Sequence, residues 1–169
     1  MMERLVLEIM YMVFWLSMFF IGYPRLQTLM VNHTIFYGET WLEKTTLALT
    51  FFCMLLLPAF YLVTPWFDFA NYQLPLPHGI LGILLLSPSS FLFYRSHKDL
   101  EVNQSSSATI GTAQRFTTRG IYNKIRHPMY TAIWIWAFAQ PLLLQNYIVG
   151  LGGILSFGLF YFLRIDKEE

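Results

Sequence analysis

Residues 128–163 read PMYTAIWIWAFAQPLLLQNYIVGLGGILSFGLFYFL, 36 positions without a charged side chain. A helix needs roughly 20 apolar residues to cross a bilayer. The run is too long for one ordinary span and just long enough for two short ones. Its polar break is Gln145-Asn146, a pair suited to a tight turn. The reading is a helical hairpin, Pro128–Leu144 followed by Tyr147–Leu163.

Three more apolar runs lie upstream: Leu5–Tyr23 with Glu8 near its outer end, Thr45–Phe67, and Pro77–Tyr94. Leu5–Tyr23 is too long for a signal-peptide core and no small-residue cleavage site follows, so it reads as a retained helix. The predicted fold is an all-α integral membrane protein with about five transmembrane helices, the last two a tight hairpin. Composition agrees. Charged residues make up 12% of the chain, against about 25% in soluble domains. So few charges cannot cover a water-facing surface, and the first partner is a lipid bilayer. A net charge of +1 gives no reason to expect nucleic acid. Cys53 stands alone in an apolar run, which gives no disulfide and no metal spacing. No metal is expected.

Orientation follows from Lys and Arg in the loops. Ten of the eleven basic residues lie in residues 24–44, residues 95–127 and the tail, which share one side if there are five spans. The other side has Arg4 alone. The large loop and C-terminus are therefore expected in the cytosol and the N-terminus outside. Two sequons, at Asn32 and Asn103, then fall on the cytosolic side and read as chance matches. Pro58 and Pro88 fall inside spans and can kink them. The last span carries Gly150, Gly152, Gly153, Ser156 and Gly158. Small residues let helix backbones approach closely, and the fourth or third span is the expected neighbour.

The candidate chemistry lies at the mouth of the fourth span, in Arg119-Gly120-Ile121-Tyr122-Asn123-Lys124-Ile125-Arg126-His127-Pro128-Met129-Tyr130. Pro128 suits the first position of a helix, which puts His127 at the cap. A helix start without nearby acids attracts anions. Arg126 adds a forked donor beside it. Gly120 permits a tight backbone approach. Tyr122 and Tyr130 offer hydroxyls or ring faces. Such a wall suits a carboxylate or phosphate on an otherwise neutral or cationic ligand. The simpler reading, basic topology signals and an aromatic belt, fits Arg119 and Lys124 better. A second cluster, Arg164-Ile165-Asp166-Lys167-Glu168-Glu169, ends the last span. Arg164 and Glu168 share a face of a continuing helix. The hairpin returns them to the side of His127.

These residues resemble the isoprenylcysteine carboxyl methyltransferase family and the related phospholipid methyltransferases. The family's Gly-x-Tyr-x-x-x-Arg-His-Pro-x-Tyr pattern is matched from Gly120 to Tyr130, and its Arg-x-x-x-Glu-Glu by Arg164, Glu168 and Glu169. Tyr94–Leu100 is similar to bacterial members, whose Gly and Trp near positions 101 and 104 are here Glu101 and Gln104. The resemblance covers about residues 75–169 of a single membrane domain. Residues 1–70 match only as two apolar spans. It implies S-adenosyl-L-methionine as cofactor and methyl transfer at the cytosolic face. Gly120, Tyr122, Arg126, His127, Pro128 and Tyr130 are the implied cofactor residues. Arg164 and Glu168 are the implied catalytic pair, with Glu168 also bordering the cofactor.

The acceptor is expected to be lipidic or small, through a carboxylate, thiol or amine. The bacterial likeness places the protein in a plasma (inner) membrane. Family members continue past the paired Glu with a segment that closes the pocket. The stop at Glu169 therefore frames the alternative expectation, a truncated, non-catalytic membrane scaffold or subunit of the same fold. A channel is the poorest reading, because the second span and the hairpin hold no mid-span ionisable residue.

Overall fold

The computed structural model describes the backbone of residues 2–31, 40–107 and 120–168, and the side chains of residues 4–24, 40–100 and 120–165 within them. Its helices are α1 (Met2–Val31), α2 (Trp41–Phe51), α3 (Leu57–Val63), α4 (Leu76–Ser107), α5 (Pro128–Leu144) and α6 (Tyr147–Glu168). A π turn at Phe52–Leu56 joins α2 to α3, and 3-10 turns cover Pro65–Ala70 and Gly120–Asn123. Arg4–Pro24, Trp41–Val63, Leu76–Leu100 and Tyr147–Ile165 are long and apolar enough to cross a membrane. α5 has 17 residues, about 26 Å of helix, the short end of the spanning range. The fold is all-α and membrane-integral, as the sequence predicts. Large apolar side chains such as Val13, Phe20, Leu84, Leu155 and Phe162 face outward, while Ser89, Gln140 and Asn146 are buried. Lipid-facing helices show this distribution because tails, not water, are the outer solvent.

The hairpin breaks where the sequence breaks. Gln145 takes a left-handed conformation, φ 48° and ψ 45°, which ends α5. For a non-glycine residue this conformation costs about 1–2 kcal/mol. Three hydrogen bonds offset it. Its N–H donates to the Pro141 carbonyl at 3.1 Å, its carbonyl accepts from the Tyr72 N–H at 2.9 Å, and its amide oxygen accepts from the Leu74 N–H at 3.4 Å. Asn146 then starts α6. Its Oδ1 accepts from the N–H groups of Ile148 and Val149, both at 3.0 Å. Its Nδ2 donates to the Phe67 carbonyl at 2.7 Å and to Asn71 Oδ1 at 2.8 Å. The Tyr72 hydroxyl adds a 2.6 Å bond to the Pro141 carbonyl. Burial pushes the Tyr72 phenol up, so the donated proton stays in place.

Pro58 does more than kink its helix. The Leu57 N–H bonds the Phe52 carbonyl, five residues back. In that wider register the next carbonyl, Cys53, would need the N–H of residue 58, and proline has none. Gln140 of α5 fills the gap: its Nε2 donates to the Cys53 carbonyl at 3.2 Å and to the Val149 carbonyl at 2.7 Å. Gln140 Oε1 accepts from the Tyr11 hydroxyl at 3.0 Å, and that hydroxyl accepts from Trp136 Nε1 at 3.2 Å. One buried amide thereby ties α1, the π turn, α5 and α6 together. Pro88 is different, lying within a continuous α4.

The glycines of α6 explain how closely it sits. A Cβ at Gly150 would lie 2.7 Å from Pro141 Cα, and one at Gly153 would lie 3.2 Å from Gln140 Oε1. That face packs on α5, the expected fourth span. Its other face meets the second span, where Gly152 faces Cys53 and Leu57. The π turn carries Cys53 there. On the far side α5 packs on α4, where Ser89 Oγ bonds the Ala132 carbonyl at 2.9 Å. It also packs on α1, where Phe14 meets the Trp136 ring edge-on at 5.4 Å.

The buried amide gives a stability test. Gln140→Leu strands the Cys53 carbonyl and the Tyr11 hydroxyl, and is expected to cost about 1–3 kcal/mol. Pro58→Ala in that background restores a backbone donor and recovers part of the loss. Unfolding of the purified protein in mixed micelles measures both.

Candidate functional site

The site forms at the end of the bundle where α4 finishes, α5 begins and α6 ends. Asp99, near that end of α4, accepts the Ile121 N–H at 2.8 Å through Oδ2. The same oxygen lies 3.4 Å from Arg95 Nε. Gly120 has φ +67°, and a Cβ there would lie 2.1 Å from Asp99 Oδ2. Two reasons therefore demand glycine: the left-handed backbone and the adjacent carboxylate. The turn closes with the N–H groups of Lys124 and Ile125 on the Ile121 carbonyl, each at 3.0 Å.

His127 caps α5 through its backbone, and its carbonyl accepts the Thr131 N–H and hydroxyl at 3.0 Å each. Its side chain makes no cap bond. Pro128 is buried at the first helical position, and the first turn holds no acidic residue. Arg126 is exposed beside this start. A first helical turn carries N–H groups without intrahelical partners and a positive dipole end. These residues fit an anionic group.

Tyr130 connects the two motifs. Its ring stacks with His127 at 5.6 Å and 14°. It meets Phe157, Phe160 and Tyr161 of α6 edge-on, at 6.2, 6.3 and 5.7 Å. The Arg164 guanidinium lies 5.9 Å from the Phe160 ring centre. His127, Tyr130, Phe160 and Arg164 thus form one connected wall, although the motifs are almost forty residues apart. Phe157, Phe160, Tyr161 and Arg164 occupy one helical stripe, spaced three, four and seven residues apart. That spacing is present in the sequence but does not stand out, because aromatic residues fill every span. Tyr122 is half-buried in the 3-10 turn, outside this ring cluster. Glu168 belongs to α6, but its side chain lies outside the described residues, as do those of Glu101 and Gln104. Residues 115, 119 and 169 lie outside them entirely. The described residues hold no cluster of potential metal ligands.

A cleft of about 310 Å³ lined by Arg4, Glu8, Tyr61 and Asp68 lies at the opposite end of the bundle. Arg4 donates there to Glu8 at 2.9 Å and to the Tyr61 hydroxyl.

Comparison with known proteins points to the site end. The sequence profile of the isoprenylcysteine carboxyl methyltransferase family matches residues 101–169. Over 107 residues, 61% of this chain, the sequence is 32% identical to the protein-S-isoprenylcysteine O-methyltransferase of Schizosaccharomyces pombe. The matched part spans 42% of that relative's length. The C-terminal part of the chain is isoprenylcysteine carboxyl methyltransferase-like, and both motifs lie in it.

The aromatic junction is testable. Tyr130→Phe keeps the ring contacts and is expected to lower the thermal unfolding midpoint less than Tyr130→Ala does. Tyr130→Ala removes contacts to both motifs and lowers stability by about 2 kcal/mol.

Proposed function

We propose that the protein is an S-adenosyl-L-methionine-dependent methyltransferase working at the cytosolic membrane face. The observation that carries this is the meeting of the two motifs through Tyr130 and Phe160, beside a helix start suited to an anion. The C-terminal likeness to methyltransferases supports it. Residues 75–169 form the methyltransferase-like core, and the two N-terminal spans buttress it. The orientation rests on charge. Arg95, Lys98, Lys124, Arg126 and Arg164 gather at the site end of the bundle, and Arg4 sits at the other.

The cofactor's carboxylate suits the start of α5, Arg126 and the His127 ring, with Gly120, Tyr122 and Pro128 shaping the backbone around it. The Tyr130 ring face attracts a sulfonium cation. When bound, S-adenosyl-L-methionine supplies an electrophilic methyl group: the acceptor's lone pair forms the new bond as the carbon–sulfur bond breaks, and sulfur keeps that electron pair. The protein's task is alignment and exclusion of water. A carboxylate acceptor loses no proton, so Arg164 has only to position it. A thiol or amine acceptor gives up a proton, and Glu168 is the base at hand. A lipidic acceptor reaches such a site from the bilayer, and a polar cofactor from the cytosol.

Calorimetric titration of the purified protein with S-adenosyl-L-methionine tests this reading. Binding is expected in the wild type, weakened about tenfold or more by His127→Ala. Arg164→Ala is expected to abolish transfer to a prenylated cysteine analogue while binding persists. A wild-type protein that binds no cofactor would overturn the reading.

A further inference from the structure

We propose that Asp99 is a positioning residue for the cofactor rim, an inference that rests on the methyltransferase reading. It lies on α4, outside both motifs, and acts through the backbone of the first one.

The geometry singles it out. The Asp99 side chain is only 12% exposed, a costly place for a carboxylate unless it is held. It accepts the Ile121 N–H at 2.8 Å, the length of a charge-assisted bond. Arg95 is a weaker partner. Its side chain is 42% exposed and its Nε lies 3.4 Å away. Base before acid is also the less favourable order for an i,i+4 helix pair. Asp99 therefore holds the turn more closely than it holds Arg95.

Gly120 completes the fit. Its missing Cβ leaves the space that the carboxylate occupies: a Cβ would lie 2.1 Å from Oδ2 and 2.5 Å from Cγ. The turn accepts Asp99 only with glycine at 120, and Asp99 anchors the turn only while it offers an acceptor. Ile121 stands five and six residues before Arg126 and His127. The tether thus fixes where the rim of α5 stands relative to α4. A shift of about 1 Å at such a rim is enough to misplace a bound reactant.

The test combines cofactor binding with amide exchange at Ile121 in the ligand-free, full-length protein. Asp99→Ala is expected to raise the Kd for S-adenosyl-L-methionine about tenfold, and Asp99→Asn, which keeps an acceptor, about threefold. At saturating cofactor, kcat is expected to stay within about twofold for both, since Asp99 reaches the site only through the turn. Ile121 exchange accelerates in Asp99→Ala and much less in Asp99→Asn. Gly120→Ala, which displaces the carboxylate with Asp99 still present, gives the same two signatures if Asp99→Ala fails to fold. The double variant Asp99→Ala/Gly120→Ala falls short of the product of the single effects, as coupled neighbours do. Wild-type binding together with wild-type Ile121 exchange in Asp99→Ala would overturn the proposal. Loss of Ile121 protection without any cofactor binding, even in the wild type, confirms the tether and overturns the methyltransferase reading instead.

Discussion

Asn146 holds the end of the hairpin with four side-chain hydrogen bonds, two to the first turn of α6 and two to the Phe67–Asn71 segment. A buried polar group at a membrane boundary is costly unless its donors and acceptors are all used. Here a single amide uses both of its ends. The rest of the site follows from this closure. It sends α6 back along α5 close enough for Gly150 to meet Pro141, and that contact sets the register in which Phe160 reaches Tyr130. Arg164 arrives beside the first motif because a turn at the other end of the bundle is fixed.

The same rule acts in the middle of the membrane. A π turn and a proline together leave one carbonyl without a partner in its own helix, and a glutamine from another helix supplies the donor. Such a solution is specific as well as stabilising. Gln140 Nε2 reaches the Cys53 and Val149 carbonyls only when the π turn and α6 stand where they do.

Much of this was legible in the sequence. An uncharged run of 36 residues with one polar break has few foldings, and the hairpin ends fall at Leu144 and Tyr147 as read. The close approach at Gly120 was legible too. What it approaches was not, because Asp99 lies 21 positions upstream and nothing local marks the pairing. The glycine stripe of α6 was read correctly against α5. The contact of Gly152 with Cys53 is not legible there, because it depends on where the π turn stands. Pro58 signalled a kink, but a π register depends on a donor from another helix, which no local pattern contains. The ring cluster was hidden by abundance: with 16 Phe, 10 Tyr and 5 Trp, no single aromatic stands out until its neighbours are in place.

The length of α5 has its own consequence. From the hairpin turn to Pro128 is about 26 Å, and Arg164 stands at nearly the same height on α6, against a hydrocarbon layer of about 30 Å. The site floor is therefore recessed a few ångströms below the level at which headgroups ordinarily begin. α5 is enclosed by α1, α4 and α6, with Phe138 its one exposed side chain, so the recess is walled by its longer neighbours and not by lipid. A floor recessed in this way brings chain-bearing molecules and water-soluble ones to the same depth.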